Sequence, residues 1–482
     1  MLRNQAIAYW EFHLAIYKQN NNQMKNSSFS RRNFLGNAAT IGLASVAASS
    51  LLSSCAGGEA KKSVAMPTML DQAPDGPILK VGLVGCGGRG TGAAVQFLSA
   101  GPSLQIVALG DAFQDKLETC RQRIKKEKGQ EVPADKCFVG FDAYQKVIDS
   151  GVDVVILATP PFFRPDHLAA AIQAGKHVFA EKPACVDPVG ARSVMASGKK
   201  AEGKGLCIVV GSQRRHQRDY VATWQQVSQG LIGEIVGSNC YWNTGKSWYI
   251  KDPDPKWSEM EYMLRTWTNW TWTGGDHIVE QHVHNIDVIN WFTGKHPVKA
   301  VGFGSRIRRT FGNQYDNFSV DFTFENHTHE HSMCRQVNGC SNNVSEFIMG
   351  TKGYTNCQNT IWDLNGKVIW KYEYSLDKQG KPTRTVSVDP YVQEHIDLVT
   401  AIRTNKPINE AETLAISSLC AIMGRISAYT GKAVTWDEMM GSDLKIGPKV
   451  IEFGPVDMDK SVPLAGEAYT PEPRRPDSQR QI

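Results

Sequence analysis

Two short segments hold the side chains best suited to proton transfer. The first is Ala180-Glu181-Lys182-Pro183, at the end of a short apolar run. A lysine at the end of a strand can give or take the proton that accompanies hydride transfer from an alcohol. Taken alone, Lys182 reads equally well as a solvated surface lysine. The second segment, Gly275 to Asp287, carries His277, Glu280, His282, His284 and Asp287. Read as one helix at about 100° per residue, it places Glu280, His284 and Asp287 on one face, with His277 nearby. Val279, Val283 and Ile286 form the stripe expected to face a core. His282 points about 160° from His284 and is expected outside their site. Glu280 and His284 are an i, i+4 pair, in which the carboxylate can orient the imidazole and stabilise its charged form. His277, Glu280 and His284 could in principle hold a metal, but no remote ligand is identifiable and none is expected.

A glycine-rich loop supplies the chemistry these groups could serve. Gly85-Cys86-Gly87-Gly88-Arg89-Gly90 follows a short strand, Lys80–Val84, and precedes a helical stretch, Thr91–Leu98. Gly85 permits a tight turn, Gly87 lets the backbone approach a pyrophosphate, and Gly90 allows close packing of helix on strand. The helix N-terminus then faces the phosphate charge. The next strand, Leu104–Leu109, ends at Gly110-Asp111. A carboxylate there accepts hydrogen bonds from ribose hydroxyls and repels a 2′-phosphate, so NAD is favoured over NADP. Thr159-Pro160 closes a fourth strand, on the edge where doubly wound sheets bind ligands.

The elements that must position these residues alternate. Apolar runs at Val152–Ala158, His177–Ala180 and Leu206–Val210 are separated by helical stretches near 165–174 and 188–202. This is the grammar of a parallel α/β sheet, expected over residues 78–212. From 213 it changes: a helix at 214–229, a strand at Glu234–Tyr241, a helix at 277–292, strands in series over 298–372, and helices near 391–404 and 412–430. Strands in series imply an α+β domain with a large, open, mostly antiparallel sheet, expected over 213–450, followed by a tail at 451–482 whose end, 468–482, is expected to be loose. Between strand and helix, Trp242, Trp248, Trp257, Trp267, Trp270 and Trp272 crowd a glycine- and proline-punctuated stretch. They read as ordinary core or as a carbohydrate platform, since aromatic faces suit the C–H faces of sugars. His327, His329 and His331 straddle an expected turn and read as exposed polar side chains.

Composition excludes several classes. The chain has 482 residues, 41% hydrophobic and 21% charged, as soluble globular proteins have. Its net charge of +5 is concentrated before residue 55, where five basic residues meet only Glu11. No basic run elsewhere suits nucleic acid. Ser30-Arg31-Arg32-Asn33-Phe34-Leu35 looks like a twin-arginine signal, the address of proteins exported already folded. The apolar stretch Ala38–Leu52 is too short to span a bilayer comfortably and leads into Leu52-Ser53-Ser54-Cys55, a lipoprotein-like cleavage box. Residues 24–54 are therefore expected to be the signal and Cys55 the lipid anchor, with 55–77 as a tether and the protein held in the periplasm. Residues 1–23 fit no export signal, and translation is expected to start at Met24. The other ten cysteines form no C-x-x-C or zinc spacing and read as buried small hydrophobes.

Gly85–Gly90, Asp111, Thr159-Pro160, Glu181-Lys182-Pro183 and His284-Asn285-Ile286-Asp287, in that order, resemble the Gfo/Idh/MocA family, which includes glucose–fructose oxidoreductase and inositol dehydrogenase. The resemblance covers about residues 79–445. It implies an N-terminal Rossmann domain, a C-terminal domain whose sheet often joins copies into homo-oligomers, and NAD- or NADP-linked oxidation of sugars, cyclitols and related alcohols. It implies that His284 takes the hydroxyl proton and that Lys182 polarises or protonates the substrate oxygen. The acid before the histidine is commonly aspartate; here Glu280 is one methylene longer. Cys86, Gly88, Arg89, Glu181 and Gln213 join the expected cofactor contacts. Arg214, Arg215, Trp242, Trp248 and Asp287 are the expected substrate contacts. Three functions compete: a sugar or glycoside dehydrogenase with tightly bound, internally recycled NAD; a redox-neutral glycosidase that oxidises C3 and eliminates the aglycone; and a non-catalytic sugar-binding lipoprotein.

Overall fold

The computed structural model describes residues 69–466, apart from 246–251, 378, 382 and 384. The expected export signal, Cys55 and Trp248 lie outside the described residues. Six strands build the first sheet: β1 (Leu79–Val84), β2 (Leu104–Asp111), β3 (Cys137–Val139), β4 (Val154–Leu157), β5 (His177–Ala180) and β6 (Ile208–Val210). All pairs are parallel, in the order β3-β2-β1-β4-β5-β6. β4 and β6 are buried at every position, so they are written in Val, Ile and Leu without alternation. The winding reverses between β1 and β4, which opens a crevice at their carboxyl ends.

This sheet is completed from far along the chain. Helix Pro390–Arg403 lays Ile396, Leu398 and Val399 into the same core as Leu83, Phe97 and Ile106. Ile208 donates its N–H to the Ile408 carbonyl at 2.7 Å, and the Val210 N–H donates to Glu410 Oε2 at 2.9 Å.

The second sheet has nine strands: β7 (Ile235–Thr244), β8 (Pro297–Ser305), β9 (Asn317–Phe324), β10 (His329–Gln336), β11 (Asn343–Gly350), β12 (Gly353–Thr355), β13 (Thr360–Asp363), β14 (Val368–Lys371) and β15 (Val434–Thr435). Their order is β14-β13-β12-β11-β7-β10-β9-β8-β15. β10 runs parallel to β7, and the other pairs are antiparallel. One face buries Phe318, Val320 and Phe322 beneath helix Ala411–Thr430. The other face leaves Val301 and Met333 open, and Phe303 is 72% exposed. His329 and His331 stand exposed on this side, and His327 sits in the preceding turn.

Two helices differ from the sequence reading. The stretch 214–229 is a 3-10 turn, Gln213–His216, followed by helix Arg218–Ser228. The stretch 277–292 is broken into His277–Glu280 and Val283–Thr293. At the break the His282 N–H reaches back five residues to the His277 carbonyl, while the His284 N–H takes the Gln281 carbonyl only three back. No described helix is long and apolar enough to cross a membrane.

Candidate active site

The glycine loop shapes the floor of a cleft at the carboxyl edge of the first sheet. Gly85 has φ +97°, and a Cβ there would stand 2.6 Å from the Ala158–Thr159 peptide. A Cβ on Gly90 would stand 1.8 Å from the Gly85 carbonyl oxygen. Only glycine fits at either position. A Cβ on Gly87 or Gly88 would meet nothing within 4 Å, so the backbone there faces open space. The helix Gly88–Phe97 has no acidic residue in its first turn, which leaves its positive end available to a phosphate. The cleft holds about 300 Å³ and is lined by this loop, Asp111, Thr159 and Pro160. These features fit a dinucleotide.

Asp111 is tied more tightly than the sequence suggests. Its Oδ2 accepts the Cys86 N–H at 2.6 Å and its Oδ1 accepts the Phe113 N–H at 2.9 Å. Burial raises its pKa, and these two donors offset only part of the rise. The carboxylate lines the cleft with lone pairs left for ribose hydroxyls. Cys86 therefore gives its N–H to Asp111 and buries its thiol, where the sequence reading has it on the cofactor.

Arg89 and Glu181, both expected to touch cofactor, pair with each other. Arg89 also donates to Gln96 Oε1 at 2.6 Å and stands over the Tyr391 ring. A guanidinium this close to a buried carboxylate takes it as counterion, so the pair clamps the glycine loop to the end of β5. Buried Arg164, which the sequence gave no reason to single out, donates to the Pro183 and Thr159 carbonyls and braces the ends of β4 and β5. Gln213 lines neither cavity described here, and its Oε1 is buried without a partner among the described residues.

Lys182 meets the broken helix. Its Nζ donates to the Glu280 carbonyl oxygen at 2.6 Å and to Glu280 Oε1 at 2.9 Å. Glu280 Oε2 accepts from Gln281 Nε2 at 2.5 Å. Burial raises the Glu280 pKa, but Lys182 outweighs it and the carboxyl titrates below its ordinary value. Glu280 thus orients Lys182, where the sequence reading has it orient His284. The break between the two helical pieces swings it away from the i, i+4 geometry.

His284 is 7% exposed and stacks on Trp242, with ring centroids 5.7 Å apart and planes at 23°. Burial, with Lys182, Arg214 and Arg89 nearby, holds its pKa well below the ordinary value. The imidazole is neutral at physiological pH and has no side-chain hydrogen-bond partner among the described residues. A neutral imidazole beside a lysine ammonium can act as base and acid on one alcohol.

Three expected substrate contacts are engaged elsewhere. Asp287 accepts two hydrogen bonds from Arg215, at 2.8 and 2.9 Å, and one from Ser417 at 2.7 Å. Arg214 donates to Glu346 Oε1 at 2.6 Å. Both arginines are largely covered, with side chains 11% and 13% exposed, and require a counterion more than a substrate. Arg214 nonetheless lies 5.7 Å from the Trp242 ring centroid, so it backs the residue on which His284 rests. Of the tryptophans, Trp242 reaches the site and Trp267 lines the cleft. Trp272 is buried with Met260 and Met263, and Trp270 packs on Phe311, so neither joins a platform.

The sequence also gave no signal for the roof of the cleft. Leu264, Arg265 and Trp267 close it from the second domain. Arg265 bridges Asp115, on the helix Gln114–Lys128, at 2.8 and 3.1 Å, and Glu261 at 2.8 Å. Its guanidinium lies 4.1 Å from the Phe113 ring centroid and 4.9 Å from that of Trp257.

Comparison with known proteins follows the same architecture. Residues 79–212 match the model described as oxidoreductase family, NAD-binding Rossmann fold, and residues 220–355 match the GFO/IDH/MocA C-terminal domain. The two models together take in more than half of the chain. The NAD(+)-dependent scyllo-inositol 2-dehydrogenase of Bacillus subtilis is 22% identical over 51% of this chain and 63% of its own length. A glycosyl hydrolase family 109 protein of Shewanella baltica is 27% identical over 47% of this chain and 48% of its own. The chain thus spans about half to 63% of these two relatives. Among solved structures, scyllo-inositol dehydrogenase from Lactobacillus casei with bound NAD(H) and scyllo-inositol superposes with a TM-score of 0.55 at 21% identity, covering 74% of this chain and 99% of that one. An oxidoreductase domain protein from Kribbella flavida gives a TM-score of 0.61 at 18% identity, covering 74% and 99%.

Proposed function

The chain belongs to the Gfo/Idh/MocA family of oxidoreductases and carries its NAD-binding Rossmann fold, and from that premise we propose that it oxidises a secondary hydroxyl of a sugar, glycoside or cyclitol. The observation that carries the reading is the meeting of Lys182 with Glu280, beside a buried neutral His284, at the carboxyl edge of the nucleotide sheet. Gly85–Gly90 and Asp111 would hold the dinucleotide. When bound, NAD supplies the hydride acceptor. A carbinol carbon releases hydride only as its hydroxyl loses a proton, so a base must stand beside that oxygen. His284 takes this role, Lys182 steadies the negative charge developing on oxygen, and Glu280 holds the ammonium in place.

The test is a panel of glycosides and inositols given to the purified protein, with products identified by mass spectrometry. A keto product supports the dehydrogenase. If no probe is oxidised and no bound NAD is reduced, the reading falls.

A second reading has its own support. The roof over the cleft points to a cofactor that stays bound through turnover, and a resident cofactor suits a redox-neutral cycle in which oxidation, elimination and re-reduction cleave a glycoside. The relatives that are glycosyl hydrolase family 109 proteins favour glycoside cleavage as the outcome. Release of free aglycone without added oxidant distinguishes it. The export signal read from Arg31, Arg32 and Cys55 gives retention a purpose, because soluble NAD is not expected outside the cytoplasm.

Retention itself is measurable. The protein is expected to carry NAD(H) through gel filtration. Arg265→Ala removes the tie to Asp115, a partly exposed pair worth about 0–1 kcal/mol, together with the contacts to Glu261, Phe113 and Trp257, and is expected to speed NAD loss several-fold. An Arg265→Ala protein that keeps its NAD as long as the parent would show that the roof does not hold it.

A further inference from the structure

A second, smaller cavity borders Glu280, the residue that Lys182 contacts. It holds about 60 Å³ and is lined by side chains that include Thr268, His277, Gln281 and Gln314. One water needs about 10–15 Å³ by this measure, so the space admits a group of roughly four heavy atoms. Its walls carry amides, a hydroxyl, an imidazole and the carboxylates of Asp276 and Glu280, and among the described residues no cationic and no aliphatic side chain lines it.

Two of these groups carry buried, unmatched atoms, and Gln314 beside them is 1% exposed. His277 is 2% exposed, and its Nε2 lies 3.2 Å from the Trp242 carbonyl oxygen. A carbonyl only accepts, so Nε2 must donate. Burial keeps the ring neutral, with its pKa lowered to about 4, so Nδ1 is a bare acceptor. Nδ1 and Thr268 Oγ1 are both buried without a partner among the described residues. An unmatched buried polar atom costs about 1–3 kcal/mol, which a bound ligand would relieve.

The acids do not offer themselves to a ligand. Asp276 accepts the N–H groups of His277 at 2.5 Å and Tyr315 at 2.9 Å, and the Tyr429 hydroxyl. Its φ of +81° and ψ of 166° belong to a region that only glycine enters easily. Three hydrogen bonds hold it there, and it fixes the start of the segment that carries His277. Glu280 is taken by Lys182 and Gln281. An anion entering this space would lose its hydration and meet negative charge, with no cation lining the space among the described residues. An uncharged group that both donates and accepts would suit Gln314, Thr268 and His277 together.

We infer that this cavity is a substrate subsite for an uncharged hydrogen-bonding substituent of the ring, of the hydroxymethyl or acetamido kind, and that Gln314, Thr268 and His277 make it reject sugar carboxylates. The inference rests on the dehydrogenase reading above. The probes are matched pairs: methyl β-D-glucopyranoside with its uronate, and methyl N-acetyl-β-D-galactosaminide with its uronate. Each pair is given to the purified protein with its resident cofactor, reading reduction of bound NAD and, separately, quenching of tryptophan fluorescence as a measure of binding.

At least one neutral member is expected to bind and react, with its uronate weaker by tenfold or more. Gln314→Leu and the isosteric Thr268→Val are expected to raise KM for the neutral probe several-fold to about tenfold, the range for loss of one neutral hydrogen bond, with a smaller change in kcat. Retained NAD reports that each variant is folded. Equal binding of a uronate and its neutral partner, or two folded variants with unchanged KM, would overturn the subsite. Binding of the neutral probe without NAD reduction would leave the subsite standing and remove the dehydrogenase reading. Absence of binding by every probe would overturn the subsite.

Discussion

Lys182→Ala is expected to lower turnover by about 10²–10³-fold while the protein keeps its NAD, the range for removing one positioned group that stabilises charge developing on oxygen. Lys182 is only 13% exposed and makes two hydrogen bonds to one residue, so its ammonium occupies a defined place. Its loss also strands Glu280. With the cation gone, only burial and the Gln281 amide act strongly on that carboxyl, and its pKa is expected to rise. Lys182→Arg separates the presence of a cation from its placement. It preserves a cation against Glu280 and hence most of the stability, but the larger, planar guanidinium cannot put its charge where the compact ammonium stood, so turnover stays low. If Lys182→Ala turns over within about threefold of the parent, the lysine does not touch the reaction.

His284→Ala is expected to lower turnover by about 10²–10⁴-fold, the range for removing a positioned proton-transfer group. The pH profile of the parent enzyme gives an independent check. A base works in its deprotonated form, so activity is lost as pH falls through its pKa. Burial and the cations Lys182, Arg214 and Arg89 push the His284 pKa well down. The acid limb is therefore expected below about 6.5, the value of a free imidazole. An acid limb above that value, or a His284→Ala enzyme with ordinary turnover, would exclude His284 as the base.

His282 offers a weaker contrast than its helical position suggests. The sequence reading sets it apart from His284, and the structure does turn it away, toward β7 and β10. There its Nε2 meets Ser332 Oγ at 2.7 Å, near Cys240 and Glu330 in the buried interior. His282→Ala is expected to destabilise the fold by about 1–3 kcal/mol, because Ser332 loses its partner in a closed space. A melting curve checks this. Equal stability would mean that the cluster rearranges freely.

What the sequence conveyed and what it withheld divide along local and distant causes. The strand ends that carry Gly85, Asp111, Thr159 and Lys182 are local features: an apolar run, then a turn residue. They were legible for that reason, as was the change from alternating to serial strands near residue 213. The break at Gln281-His282 was not, since no glycine or proline marks it. It accompanies contacts made by His282 with Ser332 on β10, fifty residues away. The engagement of Arg214 and Arg215 was hidden similarly, because Glu346 and Asp287 lie 132 and 72 residues away. The roof over the cleft was hidden for the same reason, because Arg265 finds Asp115 150 residues earlier. Residue types announced a site, while partners decided which side chains remained available to it.

The helix Pro390–Arg403 and the backbone bonds from Ile408 and toward Glu410 have a bearing on synthesis. When residue 212 leaves the ribosome, all six strands of the nucleotide sheet exist, yet one wall of their core has not been made. More than a third of the chain must follow before Ile396, Leu398 and Val399 can cover it. A fragment ending anywhere before that helix would expose apolar surface and lack the tie at β6, and would be a target for chaperones and proteases. Possession of the cofactor thus becomes a mark that translation ran almost to the end.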